Sequence, residues 1–334
     1  MVTPETSSYS AIEDLSSRSE RIGYWQVAEG LQAVDGLATS PYLESVAQGH
    51  IDGDYDSSYA VSLVRRYYEE KESHLKGDGQ EEADTVASRI VELLTKASFS
   101  FRPSMLKIIH GELFRDLIAP PYDFGFRDYN ITKPESVLAG ESVGYASYMM
   151  LDEDLFYDFN SFDYRGFKID SSDPSGSLRQ FERFISNIWQ AHPFIEGNTR
   201  TTAVFTQLLL RSKGASVDNG QFAKHSLYFR NALVRANYAS IDDGIEEDHS
   251  HLLRFFENLL LGTNHKLRNR DLYCEDMFRK KGLPSPSELF AEHEKAKKQN
   301  LDKSPSAALA NAERASKLSM EEAASPSKDR GRTV

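Results

Sequence analysis
The chain has 334 residues, 40% hydrophobic and 27% charged, a balance that suits one globular unit with appendages. Its formal net charge of -12 argues against nucleic acid as a partner. The single cysteine, Cys274, cannot form an internal disulfide, and neither a basic-plus-apolar leader nor an apolar run of about 18–20 residues is visible. The expectation is a soluble cytoplasmic protein with no membrane partner.

Residues 1–19, rich in Ser, Thr and acids, read as a flexible arm. From 20 to 72 the pattern is that of a small helical module. Trp25, Ala28, Leu31 and Gln32 predict one helix stopping at Asp35-Gly36. Ser40-Pro41 reads as the N-cap and first position of the next, continued by Tyr42, Val46 and Ala47. Gly49 and Gly53 read as the brackets of a turn, and Tyr59, Leu63, Tyr67 and Tyr68 as a third apolar face. The polar, glycine-bearing stretch 73–83 reads as a linker.

The span 84–270 reads as the core domain. A helix is predicted from about Asp84 to Ala97, and Pro103 opens another carrying Leu106, Ile109, His110, Leu113 and Phe114. His110 sits on that apolar face and reads as a core histidine. Phe126-Arg127-Asp128-Tyr129-Asn130-Ile131 follows, where Arg127 and Asp128 could simply pair at a turn. Val137 to Tyr148 alternates as an extended segment with Gly140-Glu141 as its turn. Asn160 to Gly176 reads as a surface loop. Phe181, Phe184, Ile185, Ile188 and Trp189 fall at helical spacing, as do Val204, Phe205, Leu208 and Leu209.

Val217 to Gly220 reads as a turn, a helix follows from Phe222 through Arg235, and Leu252 to Leu260 forms a last apolar helix closing at Gly262. From 271 to 334 the composition shifts through Pro284-Ser285-Pro286 to an Ala-, Ser-, Lys- and Glu-rich end, read as a polar disordered tail. The fold class is mainly α.

The stretch between the two strongest helices, His192-Pro193-Phe194-Ile195-Glu196-Gly197-Asn198-Thr199-Arg200-Thr201, concentrates an imidazole, a carboxylate, a glycine, an amide and a guanidinium. Singly, a His-Pro pair is a helix stop and Gly-Asn a turn. Together, between packed helices, they suit an anion site, because the first N–H groups of the second helix have no partner of their own.

His192, Phe194, Glu196, Gly197, Asn198 and Arg200 match in register the signature loop of Fic proteins, H-x-F-x-(D/E)-G-N-(G/K)-R-x-x-R, which this stretch resembles. Thr199 stands where Gly or Lys is usual, and Ala203 where the second Arg would be. The resemblance implies a Fic-type helical core and transfer of AMP from ATP to a Ser, Thr or Tyr hydroxyl of a target protein, with self-modification an option. It implies His192 as general base and Glu196 as ligand of Mg²⁺. Phe194, Gly197, Asn198, Thr199 and Arg200 would form the nucleotide site, with Phe194 more simply a loop anchor and Thr199 more simply a helix cap. Arg230 or Arg235 could supply charge that Ala203 does not.

The 126–131 segment is similar to the F-R-x-x-N element of the Fic core. Val143, Gly144, Tyr145, Ala146 and Ser147 fall where Fic proteins carry a β-hairpin flap that docks the target by strand addition. Residues 30–37 resemble the inhibitory segment of antitoxin-like modules fused to Fic proteins. Asp35-Gly36 takes the Glu-Gly place, with Glu29-Gly30 as an alternative register. The rival readings are a degenerate nucleotide-binding or interaction module, and transfer of another phosphate-linked group.

Overall fold
The computed structural model describes residues 16–70, 79–96, 98–118, 125–168 and 174–292. The chain divides into two units, Met1–Cys274 and Glu275–Val334. Among the described residues of the first, ten α-helices follow one another: α1 Arg18–Gln32, α2 Pro41–Asp52, α3 Ser57–Glu70, α4 Gln80–Lys96, α5 Ser104–Phe114, α6 Leu151–Ser161, α7 Pro174–Ala191, α8 Asn198–Ser212, α9 Asn219–Ala236 and α10 Ser250–Leu261. The second unit carries α11, Glu275–Lys280. The fold is mainly helical, and no helix among the described residues is long and apolar enough to cross a membrane.

Local chemistry sets the helix ends. Ser17 caps α1 in a reciprocal capping box with Glu20, and Ser40 caps α2 with Pro41 at its first position. Gly53 and Gly262 close α2 and α10 in the left-handed conformation. Gly49 instead lies inside α2, where a Cβ would fall 2.4 Å from the Tyr55 hydroxyl. The bracketing turn expected there is a single terminator at Gly53.

Other expectations shift as well. Helix α4 begins at Gln80, so the last residues of the predicted linker are helical, with Glu81 and Glu82 in the favourable first turn. Residues 71–78, the arm up to residue 15 and the tail from 293 lie outside the described residues. The polar tail nevertheless starts with ordered structure, a 3-10 turn at Asn269–Leu272 and then α11. On α3 Tyr68 is buried as expected, but Tyr59 is exposed and Leu63 and Tyr67 only half-buried, with Ala60 and Val64 completing the buried face. Helix α6 was not anticipated, although Leu151, Leu155 and Phe159, its buried residues, recur at four-residue spacing.

The β-hairpin expected over 137–148 is absent: no strand is found there among the described residues. A tight turn replaces it, in which the Glu135 N–H donates to the Glu141 carbonyl and the Gly140 N–H to the Glu135 carbonyl. The carbonyls that a ladder would use are taken by side chains, Gly144 by Gln190 and Ala146 by Arg127.

Helix α7 packs on α6, α8 and α10, α8 on α5, and α1 on both α4 and α9. The α1–α9 contact is very close, for a Cβ on Gly30 would meet the Ala223 backbone at 2.6 Å. Phe101, Phe159, Phe162, Phe184 and Phe205 form an aromatic cluster that ties α6, α7 and α8 together. The short loop between α7 and α8 is therefore carried by two helices packed on a common core.

Candidate active site
The loop begins where α7 stops. His192 leaves the helix with φ 47, and its N–H donates to the Trp189 carbonyl at 3.0 Å. Its Nδ1 lies 3.3 Å from that same carbonyl, which can only accept. The contact assigns the proton to Nδ1 and leaves the Nε2 lone pair as the base. Burial, with Lys133, Arg127 and Arg230 nearby, pushes the imidazole down to about 3, so His192 is neutral at physiological pH.

The next residues fasten the loop to itself. Asn198 accepts from the Phe194 N–H at 2.9 Å and donates to the Phe194 carbonyl at 2.8 Å. Its amide therefore clamps the loop, and the residue also lines the cavity over it. Phe194 is buried under the loop, stacked on His110 with ring centroids 3.8 Å apart, and His110 Nε2 reaches the Glu196 carbonyl. Phe194 does not line the cavity; it anchors. Thr199 accepts from Trp189 Nε1 at 3.0 Å and caps nothing.

The N-cap of α8 is Gly197 at φ 73, with no side-chain cap. A Cβ there would fall 2.2 Å from Phe114 Cε2. The first N–H groups of α8, residues 198–200, have no acceptor among the described residues, since the intrahelical ladder starts with Thr201 donating to Gly197.

Arg127 ties this loop to its neighbours. Its buried guanidinium donates to the carbonyls of His192, Ala191, Tyr129 and Ala146, and its own N–H to the Pro193 carbonyl. The pairing with Asp128 considered from sequence is replaced by five bonds that join three segments. Of the proposed flap, Val143 is buried and Gly144 and Ser147 are exposed. The Tyr145 ring lies 4.1 Å from the His192 ring. Burial, reinforced by Glu135, raises the Tyr145 phenol well above its ordinary range.

A cavity of about 250 Å³ opens over the loop. His192, Glu196, Asn198 and Thr199 line it together with Lys133, Glu135, Arg230 and Asp35. Glu196 is half-exposed, with Oε1 accepting from the Gly197 N–H at 3.2 Å and lying 4.0 Å from Lys133 Nζ. Glu135 and Arg230 form a buried pair at 2.7 Å, and burial raises the Glu135 carboxyl although Arg230 opposes the rise. Arg235 does not line the cavity.

Arg200 departs most from expectation. It is 1% exposed and points away from the cavity. Its Nε lies 2.9 Å from Asp35 Oδ2, while Nη2 donates to Glu82 at 2.7 Å and Nη1 to Gln32 at 3.2 Å. The guanidinium also sits 4.7 Å over the Phe114 ring. Asp35 reaches it because α1 runs into a 3-10 turn, Ala33–Asp35, that Gly36 ends at φ 71. Burial raises the Asp35 carboxyl, with Arg200 pulling the other way. Glu29 is elsewhere: burial, Glu44 and Asp84 raise its carboxyl, and it does not line the cavity.

Glu82, Lys133 and Glu135 were not singled out from sequence. Lys133-Pro134-Glu135 follows the F-R-x-x-N element by two residues, which is a local signal. Glu82, 118 positions from Arg200, offers none.

Among the described residues no group of three His, Cys, Asp or Glu side chains could hold a metal ion by itself. Glu196 contributes one carboxylate facing the cavity, and Mg²⁺ is held through one or two carboxylates together with substrate phosphates. The donor set fits a cation that arrives with a nucleotide.

Neither the curated proteins nor the solved structures contain a match to this chain. Residues 100–210 do match the Fic/DOC family, a span that runs from α5 through α6, α7 and the loop into α8. The loop bearing His192, Glu196 and Arg200, with the helices on either side, lies within the span that is similar to the Fic/DOC family.

Proposed function
We propose that the chain is a protein adenylyltransferase, moving AMP from ATP to a Ser, Thr or Tyr hydroxyl of a target protein and, in part, of itself. The supporting observation is that a buried, neutral His192 shares one cavity with Glu196 and the unpartnered N–H groups of α8. His192 Nε2 takes the hydroxyl proton while that oxygen bonds to the α-phosphorus. The bond from the α-phosphorus to the α–β bridging oxygen breaks, and pyrophosphate leaves with its electron pair. The N–H groups of residues 198–200 stabilise charge on the phosphates. Glu196 would hold Mg²⁺, which supplies charge neutralisation when bound. Tyr145 and Arg127 keep the imidazole oriented, and the 143–147 segment is the target-docking ridge.

In this reading residues 84–270 are the catalytic domain, acting in the cytoplasm, and 20–72 are an antitoxin-like regulatory module. Asp35, with Gly36 setting its turn, restrains Arg200, and release of that grip activates transfer. Glu29 has no part in it. The grip also favours a second reading, a nucleotide-binding module without transfer, since Arg200 is engaged and Ala203 carries no charge.

Incubation of the full chain with Mg²⁺ and ATP, read by intact mass beside His192→Ala, tests the first reading. One AMP added to the wild type alone supports it. ATP binding with no adduct on the wild type, on candidate targets or on Asp35→Ala supports the second. An adduct labelled from γ- rather than α-labelled ATP indicates transfer of a different phosphate group.

A further inference from the structure
The cavity's positive charge is unevenly available. Among its described lining residues the cations are Lys133 and Arg230. Arg230 is neutralised at 2.7 Å by Glu135, itself 1% exposed. Arg200 is turned away and held by Asp35 and Glu82. Ala203, buried on α8, offers nothing. The carboxylates of Asp35 and Glu135 are likewise taken up by Arg200 and Arg230, so of the cations lining the cavity among the described residues Lys133 is the one without a short ion pair.

Lys133 differs from the others. Its side chain is 40% exposed, and its one ion pair among the described residues is a 4.0 Å approach to Glu196, itself half-exposed. A pair of that kind contributes little and exchanges partners readily. Its backbone is well placed, for the N–H donates to Ser142 Oγ at 3.0 Å and Pro134 follows with a locked φ. A flexible stem carrying a compact ammonium from a fixed backbone is a good phosphate contact.

We propose that Lys133 is the cation of a polyphosphate subsite, taking the β- and γ-phosphate oxygens of the nucleotide in place of a loop arginine. The identity of that nucleotide rests on the adenylyltransferase reading. Glu196, the carboxylate that would hold Mg²⁺, is also the partner of Lys133 at 4.0 Å, so a metal held there would leave the ammonium available to the phosphates. The subsite thus couples metal and nucleotide binding through one carboxylate.

Calorimetric titration of the full chain with Mg-ATP, ADP and adenosine tests this on wild type, Lys133→Met and Lys133→Arg. Lys133→Met weakens Mg-ATP about tenfold, leaves adenosine within about twofold, and Lys133→Arg recovers most of the loss. An ATP affinity unchanged within about twofold, or an equal loss for adenosine, overturns the subsite. Mass analysis of AMP transfer runs alongside. Lys133-dependent ATP binding without transfer on any protein leaves the subsite standing and removes the adenylyltransferase reading.

Discussion

Gly197→Ala probes the loop at its tightest point. Two effects add. An L-residue held at φ 73 costs about 1–2 kcal/mol. The new Cβ would also lie 2.2 and 2.3 Å from Phe114 Cε2 and Cζ, and forcing a packed group aside costs about 1–3 kcal/mol. The ring has little room to yield, with the Arg200 guanidinium 4.7 Å over it and His110 at 4.9 Å. The sum, about 2–5 kcal/mol, lowers Tm by roughly 5–20 °C for a domain of this size. Calorimetry on Gly197→Ala, Phe114→Leu and the double variant reads both parts, because the smaller side chain relieves the clash and leaves the backbone term. The double variant falls short of additivity by about 1 kcal/mol or more. A Gly197→Ala Tm within about 2 °C of wild type, or strict additivity, refutes the reasoning.

His192→Ala forfeits about 10²- to 10⁴-fold in transfer rate with ATP affinity retained, measured by mass and calorimetry. Because His192 is pushed down to about 3, its titration puts no inflection in the rate between about pH 5 and 8. The unfolded chain binds that proton near pH 6.5 and the folded chain only near 3, so stability falls as pH drops through this window. Urea unfolding at pH 7 and pH 5 shows a smaller acid loss in His192→Gln. Asp35→Ala frees one side of Arg200 and raises transfer at least about fivefold in a labelled-ATP assay; an unchanged rate counts against restraint. Arg127→Met strips donors from four carbonyls and lowers stability by about 3–5 kcal/mol, read by urea unfolding, whereas a loss under about 1 kcal/mol would show the staple to be dispensable.

The start of α2, the end of α10 and the stop of the turn that follows α1 were legible because caps and terminators act over three or four residues: Ser40-Pro41, Gly262 and Gly36 each work locally. The signature loop was legible for a similar reason. Its register is ten consecutive residues, and the helices flanking it announce themselves by apolar spacing. Helix α6 carries the same signal more faintly, in three buried residues at four-residue spacing, Leu151, Leu155 and Phe159. The 137–148 segment misled because alternation reports which faces are apolar, not whether a partner strand exists. Arg127 and Gln190 claim its carbonyls instead.

Role assignment depended on contacts no local pattern encodes. Asn198 is an amide that could serve a phosphate or a peptide group, and only the folded loop shows it bonded to the backbone of Phe194, four residues away, at the cavity wall. Arg200 is a fixed charge whose direction is set by Gln32 and Glu82, 168 and 118 positions distant, brought together only when α1 and α4 both pack on α8. By itself the sequence determined the helices, their stops and the loop's chemical inventory, because propensity, capping and periodicity are short-range. Which groups face the cavity, which are neutralised and which are held in reserve was decided by tertiary packing, because electrostatic and hydrogen-bond partners are chosen by proximity in space.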